Sequence, residues 1–152
     1  MLPDVIQLEV VTPDRSVLRA SVAEVQVPGL VGYLGVLPGH TPLLAELGLG
    51  QLSYRQGSQT FYATAFGGLA EILPDRVIVL AEAAERAEEI NVDRARAAAD
   101  RAKKRIASPT DTAVDWERAQ RAAQRAETRL QTAARVTPGS GSGAGAEAQP
   151  AK

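Results

Sequence analysis

The pattern with the clearest chemical potential is a pair of arginine rows in the C-terminal half of the chain. Spacings of seven and four residues bring each row to one helix face; the rows are Arg94, Arg101 and Arg105, then Arg118, Arg125 and Arg129. Facing rows repel each other unless an anion lies between them, and a polyphosphate would convert them into a charge-assisted clamp. The competing interpretation, which the pattern alone favours, is a solvated face paired with Asp100, Glu117 and Glu127.

Other residues suited to catalysis are few. The chain has one histidine, His40, and no cysteine, so nucleophile–base pairs and the usual zinc sites have almost no candidates. Glycine-rich phosphate loops, the nucleophile elbow and the zinc-protease helix motif are also missing from the sequence. His40 could serve as a general base, but its place between Gly39 and Thr41 favours a turn or interface residue. We expect no catalytic residues and no metal site.

The segment Val27–Leu44 combines four glycines and three prolines with large apolar residues. Glycine and proline set turn angles, but the apolar side chains exceed what a solvated loop normally carries. The segment predicts a rigid apolar loop system that lies against a core or a partner.

Charge divides the 152-residue chain into unlike parts. Residues 1–90 carry 11 acidic side chains and 5 arginines, whereas residues 91–135 carry 11 basic and 6 acidic side chains. A basic segment seeks anionic partners. Nucleic acid is disfavoured, since Trp116 is the only aromatic residue of that segment and the acidic part would repel phosphate. With no secretory signal and no long apolar run, we expect a soluble chain without a lipid anchor.

Hydrophobic periodicity predicts strands first and helices later. Alternation in Ile6–Val10 and Ala23–Val27, followed by runs at 49–55, 60–66, 69–73 and 76–81, favours a β-sandwich or flattened barrel. From Asn91 apolar residues recur every three or four positions, which predicts two amphipathic helices. Ser108–Asp111 separates them and makes an antiparallel hairpin, and Asn91 is a suitable N-cap. Residues 137–152 predict a disordered, low-complexity tail.

Four segments resemble the epsilon subunit of bacterial F-type ATP synthase, and the resemblance extends over about residues 5–135. They are Val11–Asp14 (VTPD), Gly32–Leu43 (GYLGVLPGHTPL), Gly67–Ile72 (GGLAEI) and Ala81–Arg86 (AEAAER). The resemblance implies a ten-stranded β-sandwich at residues 1–86, a regulatory helical hairpin at 87–136 and the tail at 137–152.

The resemblance also implies a non-catalytic rotor subunit at the cytoplasmic face of the bacterial plasma membrane. Its partners would be the gamma subunit, the c-ring and the alpha and beta catalytic subunits. The hairpin would inhibit ATP hydrolysis when extended, and the sandwich would dock through two loops. The expected docking residues are Gly29, Leu30, Val31, Gly32, Pro38, Gly39, His40, Thr41 and Pro42.

Some members of that family bind ATP on the folded hairpin through an I-D-x-x-R-A motif. The corresponding segment is Ile90–Ala95 (INVDRA), with Asn91 where the motif has aspartate. By resemblance, the candidate ATP-binding residues are Glu85, Ile90, Asn91, Arg94, Arg101, Arg125 and Arg129. ATP would act as a regulatory ligand, and no cofactor is required. The alternatives are a free-standing ATP-sensing module and an enzyme with a pocket in the sandwich.

Overall fold

The computed structural model describes residues 2–108, 113–136 and 149–150. Its strands are β1 (Ile6–Val11), β2 (Arg15–Val22), β3 (Glu24–Gly29), β4 (Gly32–Val36), β5 (Leu43–Glu46), β6 (Leu49–Gln56), β7 (Gln59–Ile72) and β8 (Arg76–Arg86). A 3-10 turn at Ala87–Glu89 leads into α1 (Val92–Ala107) and α2 (Ala113–Ala133). The predicted order of a β-sandwich followed by two helices is confirmed.

Two long strands hold the sandwich together. Strand order is β4-β3-β6-β7-β8-β1-β2, with β5 on the far half of β7. β7 pairs with β6 over residues 59–66 and with β5 over residues 69–72. β8 follows β7 through both halves and also pairs with β1. The described strands thus form one continuous hydrogen-bonded sheet of nine strands, roughly the ten strands expected.

Glycine permits β7 to pass from one sheet to the other. Gly67 and Gly68 have φ values of 67° and 105°, in the region that favours glycine. A Cβ on Gly68 would overlap the carbonyl oxygen of Leu80 on β8. The sequence therefore keeps glycine where the two longest strands bend together.

Alternating side chains build the core between the sheets. In β1, Ile6, Leu8 and Val10 are buried while Gln7 is exposed, as the period of two predicts. Each such aliphatic side chain stabilises the fold by about 1.5–3 kcal/mol on burial.

The prediction that Val27–Leu44 is a loop system throughout was wrong. It contains β4 and the first residues of β5, and β4 pairs with β3 from Val25↔Val36 to Gly29↔Gly32. Frequent glycine and proline concealed a five-residue strand, because only Val36 of that strand is fully buried. The true loops are the two short segments that flank β4.

The hairpin is packed through small residues, as expected. Ala95, Ala99 and Ala102 of α1 are buried, as are Ala119 and Ala126 of α2. Each methyl group contributes little, since a buried methylene is worth about 0.8 kcal/mol. The helices are thus held together weakly for their length.

The apolar stripes of the helices do not remain buried at the helix starts. Val92 and Trp116 continue these stripes in sequence, but they are 37% and 45% exposed at the starts of their helices.

Parts of the expected helix connection and tail lie outside the described residues. These parts are residues 109–112 of the connection and most of the expected disordered tail. Gln149 and Pro150 are described, and they pair with Ser16 and Arg15 as a short strand, β9.

Candidate functional site

The first expected docking segment, Gly29–Gly32, is the turn between β3 and β4. Gly29 and Gly32 face each other across the strands, and a Cβ on Gly29 would lie 2.6 Å from the Gly32 carbonyl oxygen. This close approach leaves Leu30 60% and Val31 101% exposed at the tip. Apolar side chains exposed together in this way are typical of a partner surface.

The second expected segment, Pro38–Pro42, follows the opposite end of β4. The amide of Gly39 donates to the Pro74 carbonyl at 2.7 Å, which ties the loop to the β7–β8 turn. His40 Nδ1 lies 2.6 Å from the Thr41 carbonyl oxygen and donates to it. The imidazole thus supports its own loop, as the turn interpretation expects.

The structure places these two segments apart. Residues 33–37, four of them in β4, separate the two segments, a length of about 17 Å at 3.3 Å per strand residue. Leu37, 58% exposed, and Leu2, 72% exposed, extend the apolar surface beside the second loop. A partner that covers both loops must therefore lie along β4.

Two of the candidate ATP-binding residues contact each other directly. Arg129 Nε on α2 donates to Glu85 Oε1 at the end of β8, over 2.6 Å. The Arg129 guanidinium also lies 5.0 Å from the centre of the Phe66 ring on β7. Both members of the ion pair are partly buried, so Arg129 joins the hairpin to the sandwich.

The motif Ile90–Ala95 occupies the start of α1. Ile90 is buried, and Asn91 Oδ1 accepts a hydrogen bond from the Arg94 amide at 3.0 Å. The predicted N-cap is therefore confirmed. Asn91 and the side chain of Arg94 are exposed at the helix start.

The remaining candidate arginines are divided between two environments. Arg101 is exposed on α1, whereas Arg125 is half-buried on the side of α2 that meets the sandwich. Within the described residues, no ion pair joins either side chain to a carboxylate. The expected pairing with Asp100, Glu117 and Glu127 is thus not observed there.

Further contacts that dock α2 on the sandwich were not anticipated from the sequence. Gln51 Nε2 donates to Thr132 Oγ1 at 3.1 Å, and Arg135 lies over the Tyr62 ring at 5.2 Å. Tyr62 and Phe66 are four residues apart on one strand and so share a face. That spacing was the signal available in the sequence for a sheet face covered by a cationic helix.

A cleft of about 660 Å³ lies between α2 and the corner of the sandwich. On α2 it is lined by Arg121, Gln124 and Arg125. On the sandwich it is lined by Glu46, Glu82, Gly29, Leu30, Leu47, Gly48, Leu49, Gly67 and Gly68. Cations on the helix and carboxylates on the sandwich thus line the same cleft, which also includes the base of the first expected docking segment.

The described part of the chain lacks two further kinds of feature. Residues 2–108 and 113–136 contain no group of three or more His, Asp or Glu side chains arranged to hold a metal ion. No helix in these ranges has both the length and the apolar composition to span a membrane.

Family models match nearly all of the two structural parts. Residues 5–87 match the model for the ATP synthase delta/epsilon chain beta-sandwich domain. Residues 88–134 match the model for the ATP synthase delta/epsilon chain long alpha-helix domain. The class of protein defined by the fold is therefore an ATP synthase delta/epsilon chain.

Curated relatives narrow this class. The ATP synthase epsilon chain of Solibacter usitatus is 50% identical over 132 residues, which cover 87% of this chain and 98% of the relative. The ATP synthase epsilon chain of Nitratidesulfovibrio vulgaris (strain DP4) is 48% identical over 125 residues, with coverage of 82% and 92%. This chain belongs to the family of ATP synthase epsilon chains, and the resemblance read from its sequence is confirmed.

Solved structures agree with this assignment. A chain in the cryo-EM structure of the Euglena gracilis mitochondrial ATP synthase OSCP/F1/c-ring is 26% identical, with a TM-score of 0.74 and coverage of 88% of this chain and 83% of that one. A chain in the Tetrahymena thermophila mitochondrial ATP synthase central stalk/c-ring is 15% identical, with a TM-score of 0.57 and coverage of 84% and 96%. The second likeness shows the fold alone.

Proposed function

We propose that this chain is a non-catalytic rotor subunit in the central stalk of a proton-translocating F-type ATP synthase. Membership of the epsilon-chain family carries the proposal, and the exposed apolar tip of Leu30 and Val31 supports a partner surface on the sandwich. The sandwich docks on the gamma subunit and the c-ring through Gly29–Gly32 and Pro38–Pro42, and so helps to couple rotation to ATP synthesis. The complex lies at the cytoplasmic face of the bacterial plasma membrane.

The hairpin is the regulatory part in this proposal. When it is folded on the sandwich it permits turnover, and when it extends, its basic helices reach acidic surfaces of the alpha and beta subunits and inhibit ATP hydrolysis. Two observations support this view: the alanine-rich helices are weakly packed, and the described contacts of α2 with the sandwich include polar pairs that water can replace.

Deletion of the chain from Asn91 onward tests both parts of this function. We expect the truncated chain to assemble with gamma and the c-ring and to support coupled ATP synthesis, while inhibition of ATP hydrolysis changes. The full-length chain in the same complex is the control. Loss of assembly would place the docking surface in the hairpin, and failure of the full-length chain to co-purify with gamma would favour a free-standing module.

We further propose that ATP binds the folded hairpin near Glu85, Asn91 and Arg129. Binding at 100 times the dissociation constant would favour the folded state by about 2.7 kcal/mol, enough to bias a weakly packed hairpin. The phosphates would have to compete with Glu85 for Arg129, because the Glu85 carboxylate already lies 2.6 Å from the Arg129 guanidinium. Asn91 keeps a carbonyl oxygen for the adenine amino group but lacks the charge of aspartate.

Calorimetric titration with ATP tests this site in the full chain. We expect Asn91→Asp to bind ATP about ten- to a hundredfold more tightly than the native chain, since hydrogen bonds to charged groups contribute about 1.5–3 kcal/mol. Arg101→Met should weaken ATP binding. Lys103→Met is the control: it removes an exposed charge of the same helix outside the candidate set and should leave ATP binding unchanged. An absence of heat at millimolar ATP in both the native chain and Asn91→Asp, with folding intact, would refute ATP binding.

A further inference from the structure

An ion-pair network joins strand β2 to the junction between the sandwich and the hairpin. Arg15 on β2 donates to both carboxylate oxygens of Glu89, at 2.7 Å through Nη2 and at 3.3 Å through Nη1. The two residues are 74 positions apart in sequence. Neither belongs to the docking loops or to the candidate nucleotide site.

Arg86 completes the network from the end of β8. Its Nη2 and Nε donate to Glu89 Oε1 at 2.8 and 3.1 Å, and its backbone amide lies 3.4 Å from Glu89 Oε2. Burial alone would raise the pKa of Glu89, but the hydrogen bonds from Arg15 and Arg86 bring it below its ordinary value. The same carboxylate raises the pKa of Arg15. Glu89 is thus a charged group held by two cations.

Two residues beside this carboxylate are buried in the folded chain, where the 3-10 turn contacts both β7 and α2. Ala87 and Ile90 are 5% and 8% exposed. Immediately afterwards the environment changes, since Asn91 and Val92 are exposed and the Asn91 side chain contacts only the first turn of its own helix among the described hydrogen bonds. The Arg15–Glu89 contact is thus the last described hydrogen bond between the sandwich and the segment that leads into α1.

We propose that Arg15 and Glu89 are positioning residues that fix the junction 86–90 to the sandwich, so that the hairpin pivots at Asn91. The movement itself rests on the proposed function, whereas the anchoring does not. A consequence is that the candidate nucleotide site is divided by the pivot: Glu85 and Ile90 stay with the sandwich, while Arg94 and Arg101 move with α1. A nucleotide would then hold the hairpin down by bridging a fixed and a moving part.

Distances between paired spin labels in the full chain test the anchor. The chain has no cysteine, so Ser58→Cys with Glu88→Cys reports on the junction, and Ser58→Cys with Lys103→Cys reports on the hairpin; all three positions are exposed. Glu88→Cys removes the 3.7 Å contact of Glu88 with Arg86 Nε, which is present in no labelled chain of this pair, and leaves the Arg15–Glu89 contact in place. Each pair is measured in the otherwise native chain and with Arg15→Met, Glu89→Gln or Arg19→Met. Arg19 is the matched control, because it lies on β2 like Arg15 but pairs with Glu9 of β1 rather than with the junction. Circular dichroism checks that the sandwich remains folded.

We expect a narrow 58–88 distribution in the native chain that widens at least twofold with Arg15→Met or Glu89→Gln and is unchanged with Arg19→Met. If both anchor variants fold and keep the native 58–88 width, the anchor is refuted. In a chain with Arg129→Met, which weakens the docking of α2, the 58–103 distribution should widen while 58–88 stays narrow. Joint widening would place the pivot before residue 86 and overturn the inference. A 58–103 distance that stays narrow in every variant would instead refute the mobile hairpin of the proposed function.

Discussion

Removal of the Arg129–Glu85 pair should loosen the hairpin by a measurable amount. The two side chains are 28% and 30% exposed and 2.6 Å apart, so the pair contributes up to about 1 kcal/mol. The guanidinium over Phe66 adds about 0.5–1 kcal/mol. We therefore expect Arg129→Met to cost about 0.5–2 kcal/mol in docking free energy and Glu85→Gln up to about 1 kcal/mol.

Native-state hydrogen exchange at amides within α2 measures that free energy. A cost of about 0.5–2 kcal/mol corresponds to exchange about 2- to 30-fold faster, in α2 but not in the strands of the sandwich. The double variant should lose less than the sum of the single variants, because both remove the same ion pair.

Arg135→Met supplies the control for this cycle. It removes a cation from Tyr62, and its effect should add to that of Glu85→Gln within about 0.3–0.5 kcal/mol. The reasoning is refuted if Arg129→Met and Glu85→Gln are also additive within that range, or if exchange in α2 is unchanged by Arg129→Met.

Three further outcomes can be checked by equilibrium unfolding and titration. Gly68→Ala should lower the free energy of unfolding by more than about 2 kcal/mol, because the added Cβ meets the Leu80 carbonyl. Gly57→Ala is the control: its φ is positive but the space around it is open, so it should lose about 1 kcal/mol. Equal losses would contradict the steric argument. The pKa of Glu89 is lower in the folded state. Its contribution to the free energy of unfolding is therefore present above the unfolded pKa of about 4.3 and is lost as pH falls through the folded pKa. The decline of stability at acid pH should be less steep in Glu89→Gln, and an unaltered decline would count against the network. Burial raises the pKa of Tyr54 to about 12, so stability should fall as pH rises above the ordinary value of 10.0. The ultraviolet difference between the native chain and Tyr54→Phe reports the ionisation of this phenol, and its ionisation near the ordinary value in a folded chain would contradict its burial.

The sequence predicted those parts of the molecule in which local periodicity and burial agree. Alternation placed Ile6 and Leu8 in the core, and the three- and four-residue spacing placed Ala95 and Ala99 between the helices. It failed for β4, where short length and glycine hide the alternation and the strand exists because β3 provides a partner.

At the candidate site, the sequence named the residues but not their partners. Spacing placed Arg125 and Arg129 on one helix face, yet nothing local indicates that Arg129 meets Glu85 or that Arg125 borders a cleft. The contact of Arg15 with Glu89 spans 74 positions, a separation that no pattern of neighbouring residues reports. Long-range pairing of this kind depends on how the sheets fold over each other.

The cleft between α2 and the sandwich connects two surfaces that are otherwise separate. Gly29 and Leu30 belong to its wall, and so do Arg121 and Arg125. A partner that shifts the β3–β4 turn would change the space available to α2, and release of α2 would remove one wall behind the turn. By thermodynamic reciprocity, the affinity of the sandwich for its partner would then depend on the position of the hairpin, and binding of the partner would in turn shift the position of the hairpin.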